Sequence, residues 1–189
     1  IDLTPSKVGP FSVPSINDVR SESNINMITC GGQASIPILH LISKFSKGLS
    51  YIEIVSQIAA DSAGMSTRIN IDNYVETTEK AIKQFTNTPK CKVILNLNPA
   101  IPQVNMQTTM FIRAESFDYE GISKGIYDKI NQIKTYVPLY EMVMPPVLNK
   151  DILVLSIKVK GMGDYLPEYA GNLDIINCAA IEVTKRIYE

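Results

Sequence analysis

The chain has 189 residues, 45% of them apolar and 20% charged, with a formal net charge of −1, which suits one globular domain with a core of its own. Nearly balanced charge without a basic cluster argues against a nucleic-acid partner. No apolar run reaches the length of a membrane span, since the longest are broken by Lys, Ser or Pro, and no signal-peptide pattern opens the chain.

Residues 1–24 read as an extended lead-in and loop, punctuated by Pro5, Pro10 and Pro14. From Gly31 to about Lys47 the apolar positions Ile38, Leu41, Ile42 and Phe45 recur at helical spacing, with Gly48 as the stop and Pro37 close enough to the first turn to be tolerated. Tyr51 to Ala60 is rich in Ile and Val and reads as a strand, followed by a glycine-containing loop from Asp61 to Arg68. Asp72 to Phe85 is an amphipathic helix with an acidic start and late lysines. Cys91 to Leu97 and Thr109 to Glu115 are predicted strands joined through Pro99 and Pro102. Asp118 to Tyr136 is predicted helical, Tyr140 to Met144 and Ile152 to Lys160 are strands, and Gly171 to Tyr188 is a final helix. Strands linked by two long helices, with hairpin-like stretches, predict an α+β domain with a mixed, largely antiparallel sheet and helices packed on it. No strand leads through a glycine-rich turn into a helix, so the dinucleotide fingerprint is absent from this span.

The chemistry concentrates at Cys30, immediately ahead of Gly31-Gly32 and the apolar helix. A thiol at a helix N-terminus meets unpaired backbone N–H groups and the positive end of the dipole, which favour a thiolate. The glycines allow another group to approach the backbone closely, as a cysteine nucleophile with an oxyanion site requires. A buried cysteine beside a Gly-Gly turn is the plainer alternative. His40 is the obvious candidate base, but ten residues of helix put about 15 Å between it and Cys30, which leaves it a structural or surface role. Cys91, in an apolar strand, and Cys178, on the last helix, read as packing residues. Three cysteines without CxxC spacing argue for reduced thiols in a cytoplasmic setting, and a single histidine with no Cys/His cluster argues against a metal site.

The run Asn26-Met27-Ile28-Thr29-Cys30-Gly31-Gly32-Gln33-Ala34-Ser35-Ile36-Pro37 resembles the nucleophile segment of the acylating (CoA-dependent) acetaldehyde dehydrogenases, the enzymes that pair with 4-hydroxy-2-oxovalerate aldolases. Three further blocks match in the same order: Ile1-Asp2-Leu3-Thr4-Pro5, Asn70-Ile71-Asp72 through Glu76-Thr77-Thr78, and Tyr165-Leu166-Pro167 with Tyr169-Ala170-Gly171-Asn172-Leu173-Asp174-Ile175. The resemblance covers almost the whole chain. It implies a catalytic domain similar to that of glyceraldehyde-3-phosphate dehydrogenase, filling residues 1–189 and dimerising through its sheet. It also implies a Rossmann NAD-binding domain ahead of this span, toward which helix 171–189 would pack. The implied reaction joins a short aldehyde to CoA with NAD as oxidant, through a thioacyl on Cys30, in aromatic catabolism beside the partner aldolase.

The same resemblance assigns cofactor contacts to Ser62, Ala63, Gly64, Met65, Ser66, Thr67, Arg68, Ile69 and Asn70, and places Asn172 at the nicotinamide end. Three departures stand out. The family's Pro-Gly pair in that loop is Met65-Ser66 here, which puts a backbone shape needing the second glycine in question. The family's Met-Arg-Asp-Thr block is Met106-Gln107-Thr108-Thr109, so Thr108 stands where a carboxylate has been assigned a part in activating the cysteine, and no general base carries over. The stretch between Pro146 and Ile152 is also shorter than usual, so the strand after it is expected to shift or the interface to be trimmed. These departures and the absent dinucleotide motif leave a rival reading, a non-catalytic dimerisation and partner-docking module.

Overall fold

The computed structural model describes residues 1–3 and 8–189; Thr4 and Pro5 of the first matching block lie outside them. Five strands form one sheet in the order β3-β2-β4-β7-β6: β2 (Tyr51–Ala59), β3 (Cys91–Asn98), β4 (Met106–Arg113), β6 (Tyr140–Asn149) and β7 (Ile152–Val159). Only β2 and β3 run parallel; the other three pairings are antiparallel. A two-stranded ribbon of β1 (Ser46–Lys47) and β5 (Ser116–Phe117) stands apart from it. The expected mixed, largely antiparallel α+β architecture is therefore what the chain adopts.

Alternation drives the layering. In β2 and β4 every second side chain is buried (Ile52, Ile54, Ser56, Ile58; Met106, Thr108, Met110, Ile112), while the intervening ones are half-buried on the other face. The buried face carries the helices. At their centre lies α1 (Cys30–Lys44), buried from Gly31 through Leu39 and touching α3 (Ile71–Thr86), α4 (Tyr119–Lys134), α5 (Gly171–Tyr188) and β4. The helix α3 crosses from β2 to β3, which is what parallel neighbours require. Its stripe Tyr74, Thr77, Thr78, Ala81 and Ile82 is buried at i, i+3, i+4 spacing. A second small cluster joins the lead-in to α5 through Val19, Ile25, Met27, Ile176, Ala179 and Val183.

Several boundaries differ from expectation. Pro37 falls in the interior of α1 rather than near its first turn, because the helix already begins at Cys30; dense burial on both sides holds the helix through the missing N–H. The loop 61–68 contains a 3-10 turn (Ala60–Ser62) and a short helix α2 (Met65–Ile69). Met65, Ser66 and Arg68 are exposed there, so no hydrophobic face announced the helix. The stretch after Pro146 is part of a hairpin. There β6 runs on to Asn149, and Lys150 (φ 56°) and Asp151 turn the chain directly into β7 in register Asn149↔Ile152. Pro145 and Pro146 are tolerated because β6 is an edge strand with register shifts on either side of Met144.

Candidate active site

The approach to Cys30 is shaped by a strained residue. Ile28 has φ 67°, a left-handed conformation costly for a β-branched side chain, and the Asn26 side-chain oxygen accepts its N–H at 2.8 Å. The turn it makes leaves Thr29 extended (φ −153°) as the helix N-cap, its Oγ1 accepting the Gly32 N–H at 3.0 Å. Cys30 is thus the first residue of α1, as the Cys-Gly-Gly pattern implied. Behind the cap, Thr29 and Thr78 share a hydrogen bond of 2.7 Å, and Thr78 also donates to the Tyr74 carbonyl. This ties the nucleophile turn to α3.

Cys30 lines a pocket of about 110 Å³ together with Thr29, Ile58, Thr67, Tyr74, Leu95, Asn172, Leu173 and Ile176. Of the expected site residues, the structure brings Cys30, Thr67 and Asn172 to this one pocket, and Ser62 reaches it by offering its carbonyl to Asn172 Nδ2 at 3.4 Å. Asn172 is 3% exposed, and its Oδ1 has no hydrogen-bond partner. Arg68 turns away: its guanidinium donates to the carbonyls of Ala63 and Ala60. Met65 and Ile69 stand exposed on α2, Asn70 donates to the Ser66 carbonyl, and Gly64 has open space where a Cβ would sit. Ser66 is helical and is not among the residues with positive φ, so the backbone there needs no second glycine. His40 is far along α1, its Nδ1 2.7 Å from the Phe85 carbonyl.

The space above Gly31 is not left vacant for a ligand. A Cβ there would run into the Tyr74 hydroxyl and come within 3.2 Å of Ser56 Oγ, so glycine is required for the phenol to sit against the start of α1. Tyr74, Ser56 and Thr78 went unread in the sequence. The only local signals are Thr29 ahead of the helix, a cap residue, and the Tyr74/Thr78 pair at i, i+4 on the buried stripe of α3.

Electrostatically the thiol is not the ready thiolate that a helix terminus alone would produce. Burial pushes Cys30 up to about 11, against smaller lowering contributions from the Tyr74 hydroxyl and the Gly31 and Cys30 backbone N–H groups. Cys91 also rises to about 11, through burial and the Glu79 charge, which outweigh the opposing Lys83 ammonium, and its Sγ faces the Glu79 carbonyl at 3.4 Å. Cys178, raised by burial, faces the charge of Asp174. Of the three thiols, Cys30 alone has hydrogen-bonding groups whose contribution favours its thiolate, the Tyr74 hydroxyl and the Gly31 and Cys30 backbone.

A stability consequence follows. An unfolded cysteine ionises near 9.0, whereas folded Cys30 holds its proton to about 11. Between those values the unfolded state binds fewer protons, so stability is complete below pH 9 and falls as pH rises through the window. Urea melts at stepped pH should show this decline and a shallower slope in Cys30→Ser; a flat wild-type profile would contradict it.

Among the described residues no group of three His, Cys, Asp or Glu side chains gathers as a metal site, and no helix is long and apolar enough to cross a membrane. The fold is shared with aspartate semialdehyde dehydrogenase II from Vibrio cholerae, whose structure was solved in complex with ASA and which matches with a TM-score of 0.57 at 12% identity, over 95% of this chain and 65% of that one. The family described as prokaryotic acetaldehyde dehydrogenase, dimerisation, matches residues 30–167. The acetaldehyde dehydrogenase of Pectobacterium atrosepticum is 50% identical over 99% of this chain and 64% of its own length. Those of Spirochaeta aurantia and Carboxydothermus hydrogenoformans are 45% and 44% identical, over 98% and 99% of this chain and 63% and 64% of their own lengths. The chain belongs to the prokaryotic acetaldehyde dehydrogenase family, and it spans just under two thirds of the length of these curated relatives.

Proposed function

We propose that the chain is the catalytic and dimerisation portion of an acylating acetaldehyde dehydrogenase, with Cys30 as nucleophile. The observation that carries this reading is the convergence of Cys30 and the unpartnered, buried Oδ1 of Asn172 on one small pocket. Asn172 Oδ1 is an acceptor in want of an N–H donor, and the carboxamide of a nicotinamide offers one, so the residues present fit NAD. Asn172 and Thr67 would hold that end of the cofactor, with residues 62–70 at the rim. When bound, the nicotinamide supplies the hydride acceptor.

Cys30 sulfur attacks the carbonyl carbon of a short aldehyde, giving a thiohemiacetal whose oxygen is stabilised by N–H groups at the start of α1. Loss of hydride from carbon, for which the bound nicotinamide would be the acceptor, and of the hydroxyl proton to solvent water leaves a thioacyl on Cys30. The thiol of CoA then displaces Cys30, giving acetyl-CoA and the free cysteine. The pocket walls Ile58, Leu95 and Ile176 shield the thioester from water.

The half-buried sheet face opposite the helices, with Val55, Phe111 and Val154 at its centre, is the surface through which two copies pair; the matched family's description as a dimerisation domain supports this. The exposed Ile181 and Leu173 of α5 face the NAD-binding domain, and the aldolase that supplies the aldehyde docks on the assembled protein in the cytoplasm. One observation favours the rival, non-catalytic module: Thr108, where the family carries a carboxylate, is wholly buried and bonded to Ser56.

The deciding experiment gives the full-length protein acetaldehyde, NAD and CoA, follows NADH, and maps acylated peptides after quenching without CoA. Acetylation at Cys30 with CoA-dependent NADH supports the enzyme; neither product supports the module. The span 1–189 alone is expected to pair in sedimentation yet yield no NADH, since the adenine and pyrophosphate find no glycine-rich turn in it.

A further inference from the structure

We propose that Tyr74 is a catalytic residue, whose phenolic O–H meets the Cys30 sulfur and donates to it once the thiol ionises, with Ser56 and Thr108 as positioning residues that hold the phenol from behind. This rests on Cys30 being the nucleophile. Tyr74 comes from α3, 44 residues along the chain, and its oxygen lies 3.9 Å from Cys30 Sγ, within reach of a sulfur hydrogen bond. The side chain is only 6% exposed and lines the same pocket as the thiol.

A packing role would leave this arrangement without a reason. A phenylalanine would fill the ring's place, and the glycine at 31 opens room for the hydroxyl in particular. Burying a phenol is costly unless its oxygen is satisfied. The partners are present: the hydroxyls of Ser56 and Thr29 face the phenol, and Ser56 Oγ is 2.9 Å from Thr108 Oγ1, both wholly buried on neighbouring strands at register Ser56↔Thr108. The row Cys30, Tyr74, Ser56, Thr108 thus runs from the pocket into the sheet with no carboxylate or imidazole in it.

Such a row cannot take the thiol's proton near neutral pH, because the members behind Cys30 are all neutral hydroxyls. What it offers is a fixed donor. On ionisation the thiol proton leaves to water at the pocket mouth, Tyr74, whose phenol burial holds protonated, keeps its own, and the phenolic O–H bonds the sulfur anion in a low-dielectric site where such bonds are strongest. Thr108 then serves in this chain by orienting Ser56, a task a hydroxyl can do.

The test is the rate of iodoacetamide alkylation of Cys30 against pH, read by peptide mapping in wild type, Tyr74→Phe and Ser56→Ala. Losing a donor to a charged sulfur should raise the ionisation midpoint by about one unit. Below the midpoint the thiolate fraction then falls about tenfold. The more basic sulfur regains part of this, so labelling slows about three- to fivefold. Cys91 and Cys178 in the same digests should keep their rates, which a general loosening of the fold would not allow. Ser56→Ala should shift Cys30 in the same direction by less. An unchanged or lowered midpoint in Tyr74→Phe, with Cys91 and Cys178 steady, overturns the proposal. If Tyr74→Phe misfolds, an unchanged midpoint in Ser56→Ala overturns it instead. Failure of the nucleophile reading looks different: Cys30 in wild type would label no faster than Cys91, whatever Tyr74→Phe does.

Discussion

Cys30→Ala in the full-length protein should abolish aldehyde-dependent NADH formation, a loss on the order of 10⁴-fold or more, because no other group on the pocket wall can form the covalent intermediate. Thr29 and Thr67 share that wall but carry hydroxyls without an adjacent base. Cys91 opens an outer strand with its sulfur on the Glu79 carbonyl, and Cys178 lies on α5 beside Asp174. Their alanine variants should therefore stay within about twofold of wild type in kcat, the scale of surface and packing changes away from the reacting atoms. The measurement is steady-state NADH production for the three variants side by side, with folding checked by thermal melts. Residual activity above about a tenth in Cys30→Ala would remove the nucleophile from the proposed reaction. The same loss in Cys91→Ala would point to a second thiol.

Gly171→Ala should be the most damaging single methyl on the site's scaffold. The added Cβ would collide with the carbonyl carbon and oxygen of Val159, and it would lie 3.3 Å from the Gly161 nitrogen. All three are backbone atoms, so no flexible side chain can yield, and the start of α5 must move off the end of β7. Overpacking of this kind costs about 3 kcal/mol, or a melting temperature lower by about 10 °C for a domain of this size. The residue that moves with it is Asn172, the next in the helix, so the pocket wall is displaced as well. Gly64→Ala is the control: nothing lies within 4 Å of its Cβ position, and the change should cost less than about 1 kcal/mol. Comparable melting temperatures for the two variants would show that α5 can slide freely, against the packing described.

Much of this was legible along the chain. Helical spacing of Ile38, Leu41 and Ile42, the acidic-to-basic run of Asp72 to Phe85, and the Ile/Val alternation of 51–60 each marked an element to within a few residues, because these patterns report which face is buried and burial is what fixes the element. Where such a face was missing, the reading failed. The short helix Met65–Ile69 has no buried residue, and the ribbon of Ser46–Lys47 with Ser116–Phe117 is two residues deep, so neither leaves a period to detect. Pro37 was misplaced for a related reason: helix propensity describes the local chain, whereas the start at Cys30 is set by the Thr29 cap and its bond to Thr78 on another helix.

The sequence by itself determined that a thiol begins a buried helix behind a cap residue and two glycines, since cap, glycine and apolar run are all neighbours in the chain. It did not determine what stands around that thiol. Asn172 on α5 and Thr108 on β4 were assigned to the site by family resemblance alone, while Tyr74 on α3 and Ser56 on β2 carry nothing in their own neighbourhoods that says they meet there. Strand register places Ser56 opposite Thr108, the crossover from β2 to β3 lays α3 over α1, and the tight seat of Gly171 against Val159 swings Asn172 inward. The reactivity of Cys30 was likewise decided in three dimensions: a helix terminus lowers a thiol pKa by short-range dipoles that can be read from the chain, while the desolvation that outweighs it here depends on how many atoms the fold gathers around the sulfur.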